Sequence, residues 1–131
     1  MFLDASAMVA ILVREEDGAA LQARLAAAAP AYTSAIAIYE TAMGIARIRN
    51  TSVLDAERIV RRFLAAAQAE VVPITDEIGS AALHVFERFG RGRHPARLNM
   101  GDCFAYASAR ILGVRLLFKG GDFALTDIPA A

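Results

Sequence analysis

Several features that this sequence lacks exclude whole classes of protein. A single cysteine, Cys103, leaves no internal disulfide possible and favours a reducing compartment, the cytoplasm. The 14 basic and 14 acidic residues cancel, so bulk charge does not indicate a strongly basic nucleic-acid binder or an acidic tail protein. The longest uncharged apolar runs are about ten residues, against about 20 for a membrane-spanning helix, so we expect no membrane segment. The opening residues lack the positive region of a signal peptide.

The chain does contain enough apolar material to build a core. Hydrophobic residues make up 56% of the 131 and charged residues 21%, which excludes intrinsic disorder. A chain of this length folds without disulfides or a structural metal. It has no internal repeat and no low-complexity linker, so we predict a single domain over residues 1–131.

Short apolar segments alternate with helical patterns along the chain. Strands are predicted at 1–3, 31–33, 71–74 and 114–118, the first and the last two of them buried. Helices are predicted at 5–13, 15–29, 35–49, 52–69, 75–89 and 99–112, with Ser6, Ser34, Ser52, Thr75 and Asn99 as expected amino-terminal caps. This alternation predicts an α/β fold with helices on both faces of a parallel sheet, where ligands bind at the carboxyl ends of the strands.

Four acids stand apart from most of the others, which lie in first turns or on polar helix faces. Asp4 ends the first strand, and Asp122 follows the last strand in a glycine turn. Glu40 lies in the middle of an apolar helix and Asp102 in the first turn of another, and neither has a cation one helical turn away. Each also has an ordinary interpretation: Asp4 as a helix cap, Glu40 on an irregular exposed face, Asp102 in a capping box with Asn99, and Asp122 as a turn residue.

Taken together, these four acids predict a metal site. In a parallel α/β fold their positions can meet at one edge of the sheet. Several carboxylates in one pocket cannot all stay ionised unless cations neutralise them. Oxygen-only ligands suit the hard cations Mg²⁺ and Mn²⁺ rather than Zn²⁺. A carboxylate cluster holding one or two such ions is typical of phosphodiester cleavage, in which the metal activates the attacking water and stabilises the leaving oxygen.

A family resemblance is carried by four segments, at residues 2–7, 34–40, 99–107 and 116–128. Their sequences are FLDASA, SAIAIYE, NMGDCFAYA and LLFKGGDFALTDI. As a set they resemble the PIN-domain ribonucleases, in particular the VapC toxins of bacterial toxin–antitoxin pairs, over essentially the whole chain. The resemblance implies a PIN-like three-layer α/β/α sandwich with a short, mostly parallel central sheet of four to five strands.

The resemblance also implies roles for particular acids and an activity. Asp4, Glu40 and Asp102 match the metal-binding acids of the family. Asp122 is the expected fourth acid, with Asp127 as the alternative, because the corresponding loop varies in length among relatives. The implied activity is that of a Mg²⁺- or Mn²⁺-dependent endoribonuclease that cleaves cellular RNA, tRNA or ribosomal RNA foremost, by attack of a metal-activated water. A homodimer and a VapB-like antitoxin that blocks the site are the implied partners.

Substrate contacts are expected from a hydroxyl near the acids and from basic residues. Ser6 matches the small hydroxyl residue of the family, which positions a water or the phosphate. Lysine and arginine supply sequence-independent affinity for RNA, so phosphate contacts are expected from Arg91, Arg93, Arg97 and Lys119. A solvated loop is the ordinary alternative for the arginines. Packing is the expected role of Cys103, Phe86, Phe89 and Phe104, and His94 is not expected to act as a general base.

Two rival functions remain open at this stage. The first is a catalytically inert PIN-like module that binds RNA or a partner, although retention of four acids argues against it. The second is another α/β protein such as a phosphoacceptor domain, for which Asp4 after the first strand is suitable. A phosphoacceptor does not require Glu40, and an aspartate phosphatase would usually carry a second aspartate where this chain has Ser6.

Overall fold

A four-stranded parallel sheet lies at the centre of the computed structural model, which describes residues 1–131. The strands follow the order β3-β2-β1-β4. Their bounds are β1 Phe2–Leu3, β2 Tyr32–Ser34, β3 Glu70–Val72 and β4 Leu116–Leu117. Phe2 pairs with Tyr32 on one side and with Leu116 on the other, so β1 is an interior strand. All pairings are parallel, so the carboxyl ends of the strands share one edge.

Six α-helices and one 3₁₀ turn surround the sheet. Their bounds are α1 Ala5–Val13, α2 Gly18–Ala26, α3 Ala35–Arg49, α4 Val53–Ala66, α5 Asp76–Phe89, α6 Met100–Ile111 and the 3₁₀ turn Phe123–Leu125. The predicted caps Ser34, Ser52, Thr75 and Asn99 each accept a backbone hydrogen bond at the start of their helices. Each such cap contributes about 1 kcal/mol. None of the helices has the length and apolar character needed to cross a membrane.

The core is divided between the two faces of the sheet. Phe2 and Leu116 belong to a buried cluster shared with α5 and α6, whereas Leu3 and Leu117 belong to a cluster shared with α1 to α4. Neighbouring residues of a strand point to opposite faces, so two-residue strands serve both clusters. Burying a side chain of this size contributes about 1.5–3 kcal/mol. This layering confirms the predicted α/β/α sandwich with a parallel sheet of four strands.

Two local predictions were wrong. The segment around Val71 was expected to be fully buried, but Val71 is 44% exposed and only Val72 is buried in β3. The reason is topological, because β3 is an edge strand. Ser6 was expected to cap α1, but the cap is Asp4, whose carboxylate accepts from the backbone N–H of Ser6.

Candidate metal centre

The carboxyl edge of the sheet gathers residues from distant parts of the chain. Asp4 directly follows β1, α3 begins directly after β2, and Lys119 comes two residues after β4. Helix α6 leads back into β4, so its first turn, which contains Asp102, also lies at this edge. Asp4, Glu40 and Asp102 line one cavity of about 370 Å³, together with Ser6, Arg47 and Lys119 among others. We call this cavity the acid cleft.

Asp4 is the most deeply buried of the three acids, with 3% of its surface exposed. Its Oδ2 accepts from the backbone N–H of Ser6 at 2.9 Å and from the Ser6 hydroxyl. The Ser6 Oγ in turn accepts from the backbone N–H of Lys119 at 3.0 Å. The hydroxyl therefore links the residue after β1 to the residues after β4 and fixes the orientation of the Asp4 carboxylate. Asp4 is both a helix cap and a member of the acid cleft, so its two interpretations hold together.

Glu40 projects from α3 into the acid cleft and is half-buried. Its carboxylate lies against the backbone of Gly101, in the first turn of α6. Thr41, the next residue, is fully buried and donates its hydroxyl to the carbonyl of Ala37 at 2.6 Å. The Glu40 carboxylate therefore lies between α3 and the first turn of α6 and does not point out from an irregular exposed face.

Asp102 forms a capping box with Asn99 at the start of α6. The Asp102 N–H donates to Asn99 Oδ1 at 3.0 Å, and the Asn99 N–H donates to Asp102 Oδ2 at 2.8 Å. The bond from the Asn99 N–H uses one carboxylate oxygen of Asp102. The other oxygen takes part in no hydrogen bond within the protein and is available to a ligand, so the capping role and a ligand role are compatible.

The three acids share an unusual electrostatic environment. Burial raises the pKa of Asp4 above its ordinary value, although the hydrogen bonds from Ser6 act to lower it. Burial, followed by repulsion from Asp4 and Asp102, raises the pKa of Glu40 to about 7. Burial also raises the pKa of Asp102 to about 6. Repulsion from Asp4 and Asp122 adds to this rise, whereas attraction from Arg91 opposes it. The folded chain therefore holds its carboxylates together at a cost that a bound cation would relieve.

The two candidates for the fourth acid lie in different surroundings. Asp122 is exposed before the 3₁₀ turn and does not line the acid cleft, but its charge reaches Asp102. Asp127 accepts from the Tyr106 hydroxyl and forms ion pairs with Arg88 at 3.3 Å and Arg110 at 3.0 Å. These contacts lower its pKa. Of the two, only Asp122 acts electrostatically on the acid cleft.

Two basic residues line the acid cleft, and sequence reasoning identified only one of them. Lys119 is already paired with Glu15, which also lines the cleft, and this contact raises the pKa of Lys119. Arg47 takes part in no ion pair. The missed signal was its spacing, because Glu40, Gly44 and Arg47 follow one another at helical periodicity on one face of α3. For Glu15 no such signal exists.

The arginines of the predicted basic loop differ in the contacts that they make. Arg91 is exposed and close enough to attract Asp102, while Arg97 is exposed in the same loop with a left-handed backbone. Arg93 instead binds Glu87 at 2.8 Å and lies over the ring of Phe86. The His94 Nδ1 accepts from the backbone N–H of Ala96 at 3.1 Å, which is a structural role.

The residues expected to pack do so only in part. Cys103 and Phe89 are buried, and burial raises the pKa of the thiol to about 11. Phe86 is 36% exposed and, with Phe104, lines a groove of about 710 Å³ between α5 and α6. Although this groove is larger than the acid cleft, it is mostly apolar and holds one carboxylate, Asp76, so it does not suit phosphate chemistry.

The donor set of the acid cleft fits a hard divalent cation in type and charge. Asp4, Glu40 and Asp102 offer only oxygen atoms, which Mg²⁺ and Mn²⁺ prefer. No three carboxyl, imidazole or thiol groups converge on one point at coordination distance. Mg²⁺ keeps several waters and is usually bound through one or two carboxylates, so wider spacing is compatible with it.

Comparisons with known proteins point to one family. The PIN domain model matches residues 1–129. A VapC ribonuclease of Rhizobium meliloti is 35% identical, over 97% of this chain and 98% of the relative. Ribonuclease VapC of Mycolicibacterium smegmatis is 39% identical, over 99% of this chain and 98% of the relative.

Solved structures give the same fold. Mycobacterium tuberculosis VapC20, described as a Sarcin-Ricin loop cleaving toxin, superposes with a TM-score of 0.75 at 21% identity, over 99% of this chain and 97% of that one. At this identity the likeness concerns the fold, and the sequence relatives carry the family. The chain belongs to the PIN domain family, among its VapC ribonucleases.

Proposed function

We propose that this protein is a Mg²⁺- or Mn²⁺-dependent endoribonuclease toxin of the VapC type. The observation that carries the proposal is the acid cleft, where three half-buried or buried carboxylates share one cavity, have raised pKa values and form no ion pair. The membership of the chain among VapC ribonucleases supports RNA as the substrate.

Each residue of the acid cleft has a part in this proposal. Asp4, Glu40 and Asp102 would hold the cation, with Asp122 acting on it through its charge. A divalent cation there supplies Lewis-acid activation of water and neutralises phosphate charge. Ser6 holds the Asp4 carboxylate in place through its hydroxyl.

RNA would approach the acid cleft across basic residues on two sides. Arg47 lies on the α3 side and has no acidic partner, whereas Arg91 lies on the α6 side next to Asp102. Arg97 extends the second group along the loop. Lys119 and Arg93 would have to leave Glu15 and Glu87 before binding a phosphate, so we assign them a smaller contribution.

The proposal includes the partners of a toxin. We propose a homodimer, and a VapB-like antitoxin whose cationic group enters the acid cleft, because Asp4, Glu40 and Asp102 form no ion pair within the protein. For the target we propose structured RNA of translation, tRNA or ribosomal RNA. VapC20, which shares the fold, is described as a Sarcin-Ricin loop cleaving toxin, so RNA folded into defined loops is the substrate to test first.

Cleavage of total bacterial RNA by the purified, antitoxin-free chain tests this function. The reaction is run with Mg²⁺ or Mn²⁺ and with EDTA, for the wild type and for Asp4→Asn. Asparagine also caps helices, so this variant should keep α1 intact. Asp17→Asn is the matched control, because Asp17 also precedes a helix, but its side chain makes no cap bond and lies outside the acid cleft.

Discrete fragments bearing 5′-phosphates that require metal and are lost only in Asp4→Asn would support the proposal. The alternative is the inert PIN-like module. It is favoured if RNA remains intact and Mn²⁺ does not raise the unfolding temperature, because binding to the folded state must stabilise it.

A further inference from the structure

Gly101 occupies a position where glycine has no conformational advantage. It is buried in the first turn of α6. Three glycines of the chain have a left-handed backbone, at positions 92, 113 and 120, and Gly101 is not among them. In a helix alanine is generally more favourable than glycine. The absence of a side chain at position 101 therefore needs another reason.

The reason lies in the position of the Glu40 carboxylate. A Cβ atom on Gly101 would overlap both carboxylate oxygens and the carboxyl carbon of Glu40. These atoms are the far end of a flexible side chain, whereas the backbones of α3 and α6 on either side are packed. If a methyl group were added at position 101, the Glu40 carboxylate would move, and the helices would stay where they are.

We propose that Gly101 is a positioning residue that reserves space for the Glu40 carboxylate at the acid cleft. The catalytic part of this inference rests on the proposed function. Gly101 directly precedes Asp102, so one turn of α6 both presents one acid and leaves room for another. The absence of a side chain at position 101 lets the Glu40 carboxylate lie directly against the backbone of α6, beside Asp102.

The placement of Glu40 is tested first, in metal-free protein and without any assay of activity. Crystal structures of the wild type and of Gly101→Ala are compared. We expect α6 to be unchanged, the unfolding temperature to be equal or higher, and the Glu40 carboxylate to be displaced by about 1 Å or more from its wild-type position, since ordinary carbon contacts begin near 3.5 Å. An unmoved carboxylate overturns the proposal, whatever the activity of the protein.

The consequence for the acid cleft is tested by Mn²⁺ binding and by cleavage. Calorimetric titration should show weaker binding of Mn²⁺ to Gly101→Ala than to the wild type. For cleavage of RNA we expect kcat to fall roughly 100-fold, because a misplacement of about 1 Å costs that much, with little change in KM. A change in KM alone would contradict a positioning role.

Gly79→Ala is the matched control, because it is the same substitution in α5, where a Cβ meets no atom within 4 Å. It should leave both Mn²⁺ binding and cleavage unchanged. Equal activity of Gly101→Ala and the wild type would overturn the proposal even if the carboxylate moves. If the wild type itself neither binds Mn²⁺ nor cleaves RNA, the proposed function fails, and the crystal structures alone decide whether Gly101 places Glu40.

Discussion

The acid cleft and the carboxyl-terminal tail place carboxylate side chains in opposite electrostatic environments. In the acid cleft, Asp4, Glu40 and Asp102 face one another, and burial raises the pKa of each. In the tail, Asp127 meets Arg88, Arg110 and the Tyr106 hydroxyl, and its pKa is lowered. We call Asp127 and its three partners from α5 and α6 the tail cluster.

The difference shows which carboxylates are neutralised by ion pairs within the protein and which are not. The tail cluster contains its own cations, so it is a finished structural contact that ties the end of the chain to α5 and α6. In the acid cleft, Asp4, Glu40 and Asp102 form no ion pair, although the chain has as many basic as acidic residues. Under the proposed function, a divalent cation from outside would neutralise this cluster.

The largest expected effect comes from neutralising an acid of the cleft. Asp102→Asn should reduce RNA cleavage by about 1000-fold or more, because a metal ion supplies several kcal/mol of transition-state stabilisation and about 1.4 kcal/mol is a factor of ten. Asparagine keeps an oxygen for the Asn99 N–H, so α6 should remain capped. Initial rates and circular dichroism measure the two outcomes.

The matched substitution in the tail cluster is Asp127→Asn. It removes a carboxylate of the same type outside the acid cleft and should change the cleavage rate by less than about twofold, in line with a site that makes no contact with the reacting groups. If Asp127→Asn were as inactive as Asp102→Asn, the division between the two regions would be wrong.

The second prediction concerns pH. Metal binding requires deprotonated carboxylates, and Glu40 and Asp102 have pKa values of about 7 and about 6 in the metal-free protein. At limiting Mn²⁺, cleavage should fall by about tenfold per pH unit as the pH drops through this range. Raising the Mn²⁺ concentration should move the profile to lower pH, since metal and protons compete. Initial rates at two Mn²⁺ concentrations check this, and identical profiles would speak against competition.

The third prediction concerns the stability of the tail cluster. Asp127→Asn should lower the free energy of unfolding by about 1 kcal/mol, because its ion pairs are half exposed and the hydrogen bond from Tyr106 loses its charged acceptor. Urea unfolding measures the change. Asp122→Asn, which removes an exposed aspartate without a cap bond, serves as control and should have no measurable effect.

The fourth prediction concerns the pH dependence of stability in metal-free protein. The pKa of Glu40 is 4.5 as an ordinary value and about 7 in the fold, so between these values the folded chain binds more protons than the unfolded chain. The free energy of unfolding therefore falls as pH rises across this window, and the loss is complete above about 7. Glu40→Gln should make this slope less steep in urea titrations, whereas Glu16→Gln, an exposed substitution, should not. Asp4 and Asp102, whose pKa values are also raised, keep part of the slope. A slope in Glu40→Gln equal to that of the wild type would contradict the raised pKa of Glu40.

Local rules were sufficient for most helix starts. Ser34, Thr75 and Asn99 were predicted as caps and are caps, because the cap bond joins residues three apart in the chain. Between Asp4 and Ser6 the same rule was ambiguous, since both side chains can accept a backbone hydrogen bond. The position where β1 ends selects Asp4 as the cap. The Asp4 N–H donates a sheet hydrogen bond to the Leu117 carbonyl, so Asp4 is the last residue with an extended backbone before α1.

The order of strands and helices, the sheet type and the set of unusual acids could be predicted from the sequence, since they depend on periodicity and on neighbours along the chain. The packing of the elements places Val71 on an edge strand and Asp127 in the tail cluster, and no sequence pattern indicated either. The same packing places Arg47 in the acid cleft and Glu40 against Gly101. These contacts join residues from different elements, and their distances depend on how helices pack against the sheet, which no local pattern encodes.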